Sequence, residues 1–113
     1  MNVLCKGYNG EKWVEGFPVF KSKEDCYILK PGETEPVKIY KDSLCMYTGL
    51  KDRYGYKIFE NDEVELDLFK RKASGIVRFR DGCFIVESSD LLLNGARHDY
   101  LKCYTVNYAC VLS

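Results

Sequence analysis

"GIVRFRDGCFIVE", residues 75–87, decides the fold class. Asp81-Gly82 at its centre is the pattern of a two-residue type I′ turn, in which both central residues take positive φ. A two-residue loop fixes the pairing on either side. Arg80 falls opposite Cys83, Phe79 opposite Phe84, Arg78 opposite Ile85 and Val77 opposite Val86. Side chains alternate between faces along a strand. One face is therefore Val77, Phe79, Phe84 and Val86, the expected core face. The other carries Arg78, Arg80, Cys83, Ile85 and Glu87.

The same alternation extends outward. In "EVELDLF" (63–69), Val64, Leu66 and Leu68 face one way, and Glu63, Glu65 and Asp67 the other. Antiparallel pairing with "GIVRFR" that keeps the apolar sets together is expected to bring Glu65 and Asp67 near Arg78 and Arg80. Such cross-strand pairs contribute roughly 0.2–1 kcal/mol each. "KRKAS" (70–74) reads as the basic loop between the two strands. Upstream, Asp52-Arg53-Tyr54-Gly55 suits a type I turn closed by a left-handed glycine. "YKIFE" (56–60) is a short strand, and Asn61-Asp62 a second turn, since Asn tolerates positive φ.

"KWVEGFPVF" (12–20), "DCYILK" (25–30) and "PVKIY" (36–40) read as further strands. Gly16 and Pro18 point to a bulge or an edge, and Pro31-Gly32 marks a turn. Residues 88–100, "SSDLLLNGARHDY", fit either a short capped helix or a loop with an apolar plug. Residues 100–112 read as a final strand. The whole predicts an all-β chain with one domain over 1–113. Its form is a small twisted antiparallel sheet or partly open SH3-like barrel with an N-terminal hairpin.

The 113 residues are 46% hydrophobic and 30% charged, a globular balance. No apolar run approaches the ~18 residues of a membrane span, so no membrane partner is expected. The start of the sequence lacks the pattern of a secretory signal, which points to the cytoplasm. Seventeen basic and seventeen acidic residues balance. That argues against a strong generic attraction to phosphate backbones. The six cysteines form no C-x-x-C pair, and apolar neighbours mark them as buried, reduced thiols. No cofactor or metal is expected.

Three stretches together resemble the YopX family of phage and prophage proteins. They are "GEKWVEGFPVF" (10–20), "YTGLKDRYGYKIFENDEVEL" (47–66) and the 75–87 hairpin, in the family's order. Asn61 stands where the family usually has glycine, and Glu63 where it has an apolar residue. The tail resembles the family only loosely. The resemblance implies an all-β fold, phage or prophage origin and action in the cytoplasm of a bacterial host. It assigns no catalytic residue.

Chemistry is sparse. His98 is the only histidine. A Cys-His nucleophile needs a cysteine beside it in space, and the sequence places none there. No phosphate-loop, zinc-protease or nucleophile-elbow motif is present. An enzyme is not expected. The favoured class is a protein-interaction module whose partner is a host or phage protein, with homo-oligomerisation open through an edge strand. Its candidate contact residues are Trp13, taken to lie near an edge strand, and Lys51, Arg53, Tyr54 and Tyr56, since Trp, Tyr and Arg dominate interface hot spots. The alternative is a single-stranded nucleic-acid binder using Lys70, Arg71, Lys72, Arg78 and Arg80 as a basic rim.

Overall fold

The computed structural model describes residues 3–104 and 109–112. It is all-β, with two antiparallel sheets and no closed barrel among the described residues. The chain forms two compact units, divided between Tyr47 and Thr48.

The N-terminal unit holds β1 (Cys5–Tyr8), β2 (Trp13–Phe20), β3 (Cys26–Leu29), β4 (Val37–Ile39) and the start of β5 (Cys45–Lys51). The strand order is β4-β3-β2-β1-β5. β2 changes partner midway. Trp13 to Gly16 pair with β1, and Phe17 to Phe20 pair with β3. Gly16 sits at the switch because a Cβ there would strike the Leu29 carbonyl and the Ile28 side chain. The strand carrying Trp13 is therefore internal to its sheet, not the edge expected from Pro18. Cys5, Val14, Cys26, Ile28 and Ile39 form the core of this unit. Gly7 leaves room for Ile39 to lie against β1.

The C-terminal unit continues from β5 into β6 (Lys57–Phe59), then β7 (Glu63–Asp67), β8 (Lys72–Arg80), β9 (Cys83–Ser88), β10 (His98–Tyr100) and β11 (Ala109–Leu112). Its five-stranded sheet runs β10-β9-β8-β7-β11. The β8–β9 register is the one read from the sequence, with Asp81 at φ 51° and Gly82 at φ 79°. Val77 and Val86 are fully buried beside Val64, Leu66 and Leu68. Phe79 and Phe84 pack ring on ring, 4.9 Å between centroids, but Phe79 is exposed. Phe84 packs against the core, as expected, whereas Phe79 lies outside it at the end of the hairpin.

The β7–β8 register differs from expectation. Glu65 lies opposite Ser74 and Asp67 opposite Lys72, so neither meets Arg78 or Arg80. β8 begins at Lys72, so three of the five residues of "KRKAS" are strand. The turn is short: Leu68 N–H donates to the Arg71 carbonyl at 2.8 Å. Parity is preserved, so the apolar face remains Val64, Leu66 and Leu68. The acids find nearer cations. Lys72 pairs with Glu65 at 3.2 Å, and Arg53 with Asp67 at 3.8 Å.

Asn61 takes φ 70°, as its turn position requires. The turn docks on β8 through Asn61 N–H to the Val77 carbonyl and Val77 N–H to the Asp62 carbonyl. Asp62 Oδ2 accepts from Phe59 N–H at 2.8 Å. Residues 89–97 are a loop plugged by buried Leu92, not a helix. The expected final strand is broken into β10, a 3₁₀ turn at Leu101–Cys103, and β11. The expectation for residues 105–108 lies outside the described residues. Cys5, Cys26 and Cys45 are buried and unbridged, and burial pushes the Cys26 thiol up. Cys83 and Cys103 are exposed, against expectation. Cys83 follows the turn on the outward face, and Cys103 ends the 3₁₀ turn.

Tyr104 is fully buried, and its hydroxyl donates to Asp99 Oδ2 at 2.7 Å. Burial first, then this hydrogen bond, raises its pKa well above the usual tyrosine value. The unfolded chain gives up this proton near pH 10, whereas the folded chain holds it. Stability from this group is complete below about pH 10 and falls as the pH rises further. Urea denaturation across that range should show the decline, and Tyr104→Phe should remove its share of the slope.

Candidate functional site

Asp52 ends the run from β5 and is buried, with 4% of its surface exposed. Its carboxylate would be costly there without hydrogen bonds. Oδ1 accepts from the N–H groups of Tyr54 and Tyr56, both at 2.9 Å. Oδ2 accepts from Val111 N–H in β11 at 3.0 Å. The backbone closes the same turn again. Gly55 N–H donates to the Asp52 carbonyl at 3.0 Å, and Asp52 N–H to the Tyr56 carbonyl at 2.8 Å. Gly55 holds φ 86°, where a side chain would be strained.

This frame fixes what it presents. The residues beside Gly55, Tyr54 and Tyr56, are 65% and 68% exposed. The Arg53 guanidinium lies 5.2 Å from the Tyr54 ring centroid and also pairs with Asp67. Lys51 is exposed just before the turn. Four of the five predicted contact residues thus share one loop. Trp13 belongs to the N-terminal unit. There its exposed ring packs on Tyr8 at 5.5 Å, with Lys6 Nζ 4.8 Å from its centroid.

The predicted basic rim is largely engaged. Glu87 takes Arg80 at 2.6 Å and Arg78 at 4.0 Å, and Arg78 also donates to Asn61 Oδ1. Lys72 is held by Glu65, and the Arg71 guanidinium donates to the Leu91 carbonyl. Each of these four side chains is tied to a neighbour in the fold, and Lys70 is exposed at the hairpin turn.

His98 lies in β10, opposite Glu87, and is exposed. Together with Arg80, Glu87, Asn94, Arg97 and Tyr100 it lines an open cleft of about 620 Å³. Cys83 lines the same cleft but not the same end. It is four residues along β9 from Glu87, which at ~3.4 Å per residue is roughly 13 Å. The register therefore keeps His98 and Cys83 apart. Asp99, the neighbouring acid, is committed to Tyr104 and to Tyr100 N–H. No group of three or more metal-ligating side chains occurs among the described residues.

The sequence reading took Asp52 for a turn former and missed its burial. The local signal was present: an Asp can accept from N–H groups two and four residues on, as in an Asx turn. The Val111 contact, 59 residues away, had no such signal.

A family model described as YopX protein matches residues 17–111, a span that includes the Asp52 turn and Val111, which it holds. No curated protein and no solved structure matches the chain.

Removing the carboxylate would leave three N–H groups short of an acceptor, each worth about 1–3 kcal/mol if it stays buried. Asp52→Ala should lower stability by about 3 kcal/mol or more by denaturant titration. A loss below about 0.5 kcal/mol would mean that the turn stands without the carboxylate.

Proposed function

The chain belongs to the YopX family, and we propose that it is a non-enzymatic protein-interaction module of phage or prophage origin. Its partner is a host or phage protein, of a regulatory or host-defence kind, in the cytoplasm of a bacterial host. The observation that carries this reading is the pair of exposed tyrosines on an immobilised turn. Binding costs free energy whenever it must order side chains or loops. Here the backbone under Tyr54 and Tyr56 is already fixed by Asp52. Tyrosine adds large contact area with few rotatable bonds and a hydroxyl that suits a partly wet interface. Arg53 beside them adds a third hot-spot residue type. The nucleic-acid alternative has less support, because four of its five cations are paired with acids or bound to backbone.

The test compares tagged wild type with Tyr54→Ala/Tyr56→Ala in capture from nuclease-treated bacterial lysate. Wild type should retain a discrete protein at moderate salt, and the double variant should lose it. The melting temperature should stay within about 2 °C, since exposed side chains contribute little to stability. Equal capture by the variant, or capture that depends on nucleic acid, contradicts the proposal. An unfolded variant would place the rings in the core.

A further inference from the structure

Two asparagines in the sequence are followed by glycine: Asn9 by Gly10 and Asn94 by Gly95. In such a pair the glycine nitrogen can attack the asparagine side-chain amide, because the glycine has no side chain to hinder the approach. The fold treats the two pairs oppositely.

Asn9 opens the turn of residues 9–12 between β1 and β2, and its N–H donates to the Lys12 carbonyl at 3.1 Å. Its Oδ1 accepts from two backbone N–H groups, those of Glu11 at 2.8 Å and Lys12 at 2.9 Å. Gly10 is exposed. Among the described residues, Gly10 N–H has no acceptor and Asn9 Nδ2 has no partner. The attacking nitrogen and the departing one are therefore both unengaged, while the carbonyl oxygen between them is held. Two backbone N–H groups aimed at one carbonyl oxygen are the arrangement that stabilises the oxyanion of acyl transfer. At Asn94 each feature is reversed. Gly95 N–H donates to the Leu92 carbonyl at 2.9 Å. Asn94 Nδ2 donates to the His98 carbonyl at 3.0 Å, and Oδ1 has a single donor, Ala96 N–H.

We infer that Asn9 is a self-modification site, at which the folded chain deamidates its own side chain through a cyclic imide. Gly10 N attacks Asn9 Cγ, and the new N–C bond forms as the Cγ–Nδ2 bond breaks. The proton of Gly10 N leaves with Nδ2 as ammonia. Water then opens the ring at either of its carbonyls, and no oxidant or reductant takes part. Opening at the side-chain carbonyl leaves an aspartyl residue at position 9, whose carboxylate still accepts from Glu11 and Lys12. Opening at the backbone carbonyl leaves an isoaspartyl residue, which routes the main chain through the former side chain and adds a methylene to the loop. Loop length sets the register of a hairpin. The isoaspartyl form therefore disturbs the pairing of Tyr8 with Trp13, whose rings pack at 5.5 Å.

The test incubates the full chain in neutral buffer, folded or held in urea, and follows positions 9 and 94 by peptide mapping and mass spectrometry. In urea both sites are plain Asn-Gly and should convert at similar rates. In the folded chain position 9 should convert about tenfold faster than position 94, or more. Glu11→Pro removes one of the two donors to Oδ1 and should slow position 9 by about tenfold. Should that variant fail to fold, the wild-type comparison of the two positions decides alone. An inert position 9 in the folded chain overturns the inference, as does a position 94 that keeps pace with it. Faster conversion in folded Glu11→Pro also overturns it, because the hydrogen bonds would then restrain the side chain and not activate it.

Discussion

A single buried carboxylate organises the C-terminal unit. Asp52 gathers three backbone N–H groups from two places, the turn it begins and the strand that ends the described chain. A buried charge is tolerable only when its hydrogen-bonding capacity is filled. The same contacts that satisfy the acid therefore fix the turn and hold β11. They also close an edge. Val111 N–H donates to Asp52, so this edge group is satisfied by a side chain. At the opposite edge, Asn94 donates to the His98 carbonyl and Asp99 accepts from Tyr100 N–H. Each edge strand of the five-stranded sheet thus has backbone groups held by side chains.

Charge in this unit is neutralised locally. Arg78 and Arg80 share Glu87, Lys72 takes Glu65, and Arg53 takes Asp67. Exposed pairs of this kind add little to stability. The exposed large apolar side chains of this unit include Tyr54 and Tyr56 on one loop, Phe69 at the β7–β8 turn, and Leu91 and Leu93 after β9. The two sets differ in chemistry. The tyrosines end in hydroxyls and sit on a rigid frame, whereas the second set is wholly apolar and followed by basic residues.

Much of the fold was legible because its signals were local. Asp81-Gly82 sets its hairpin through two residues, and Asn61 takes the positive φ that its turn demands. Alternation alone assigned Val64, Leu66, Val77 and Val86 to the core. The β7–β8 register was not legible, because it depends on Phe69 adopting a conformation that phenylalanine disfavours. Trp13 was misplaced because Pro18 suggested an edge, whereas β2 is internal and changes partner at Gly16. At the candidate site, the exposure of Tyr54 and Tyr56 followed from the turn. The acid beneath them was hidden, since half of its role lies with a residue distant in sequence.

Amide hydrogen exchange of the wild-type protein at Tyr54, Tyr56 and Val111 tests the role of Asp52 most directly. Exchange reports the free energy of the opening that exposes each amide. If the buried carboxylate holds turn and strand together, these three amides are protected to a similar degree, close to that of the Val77 and Val86 amides in the core strands. Exchange of Tyr54 and Tyr56 at the rate of an open loop, with Val111 protected independently, would contradict that account.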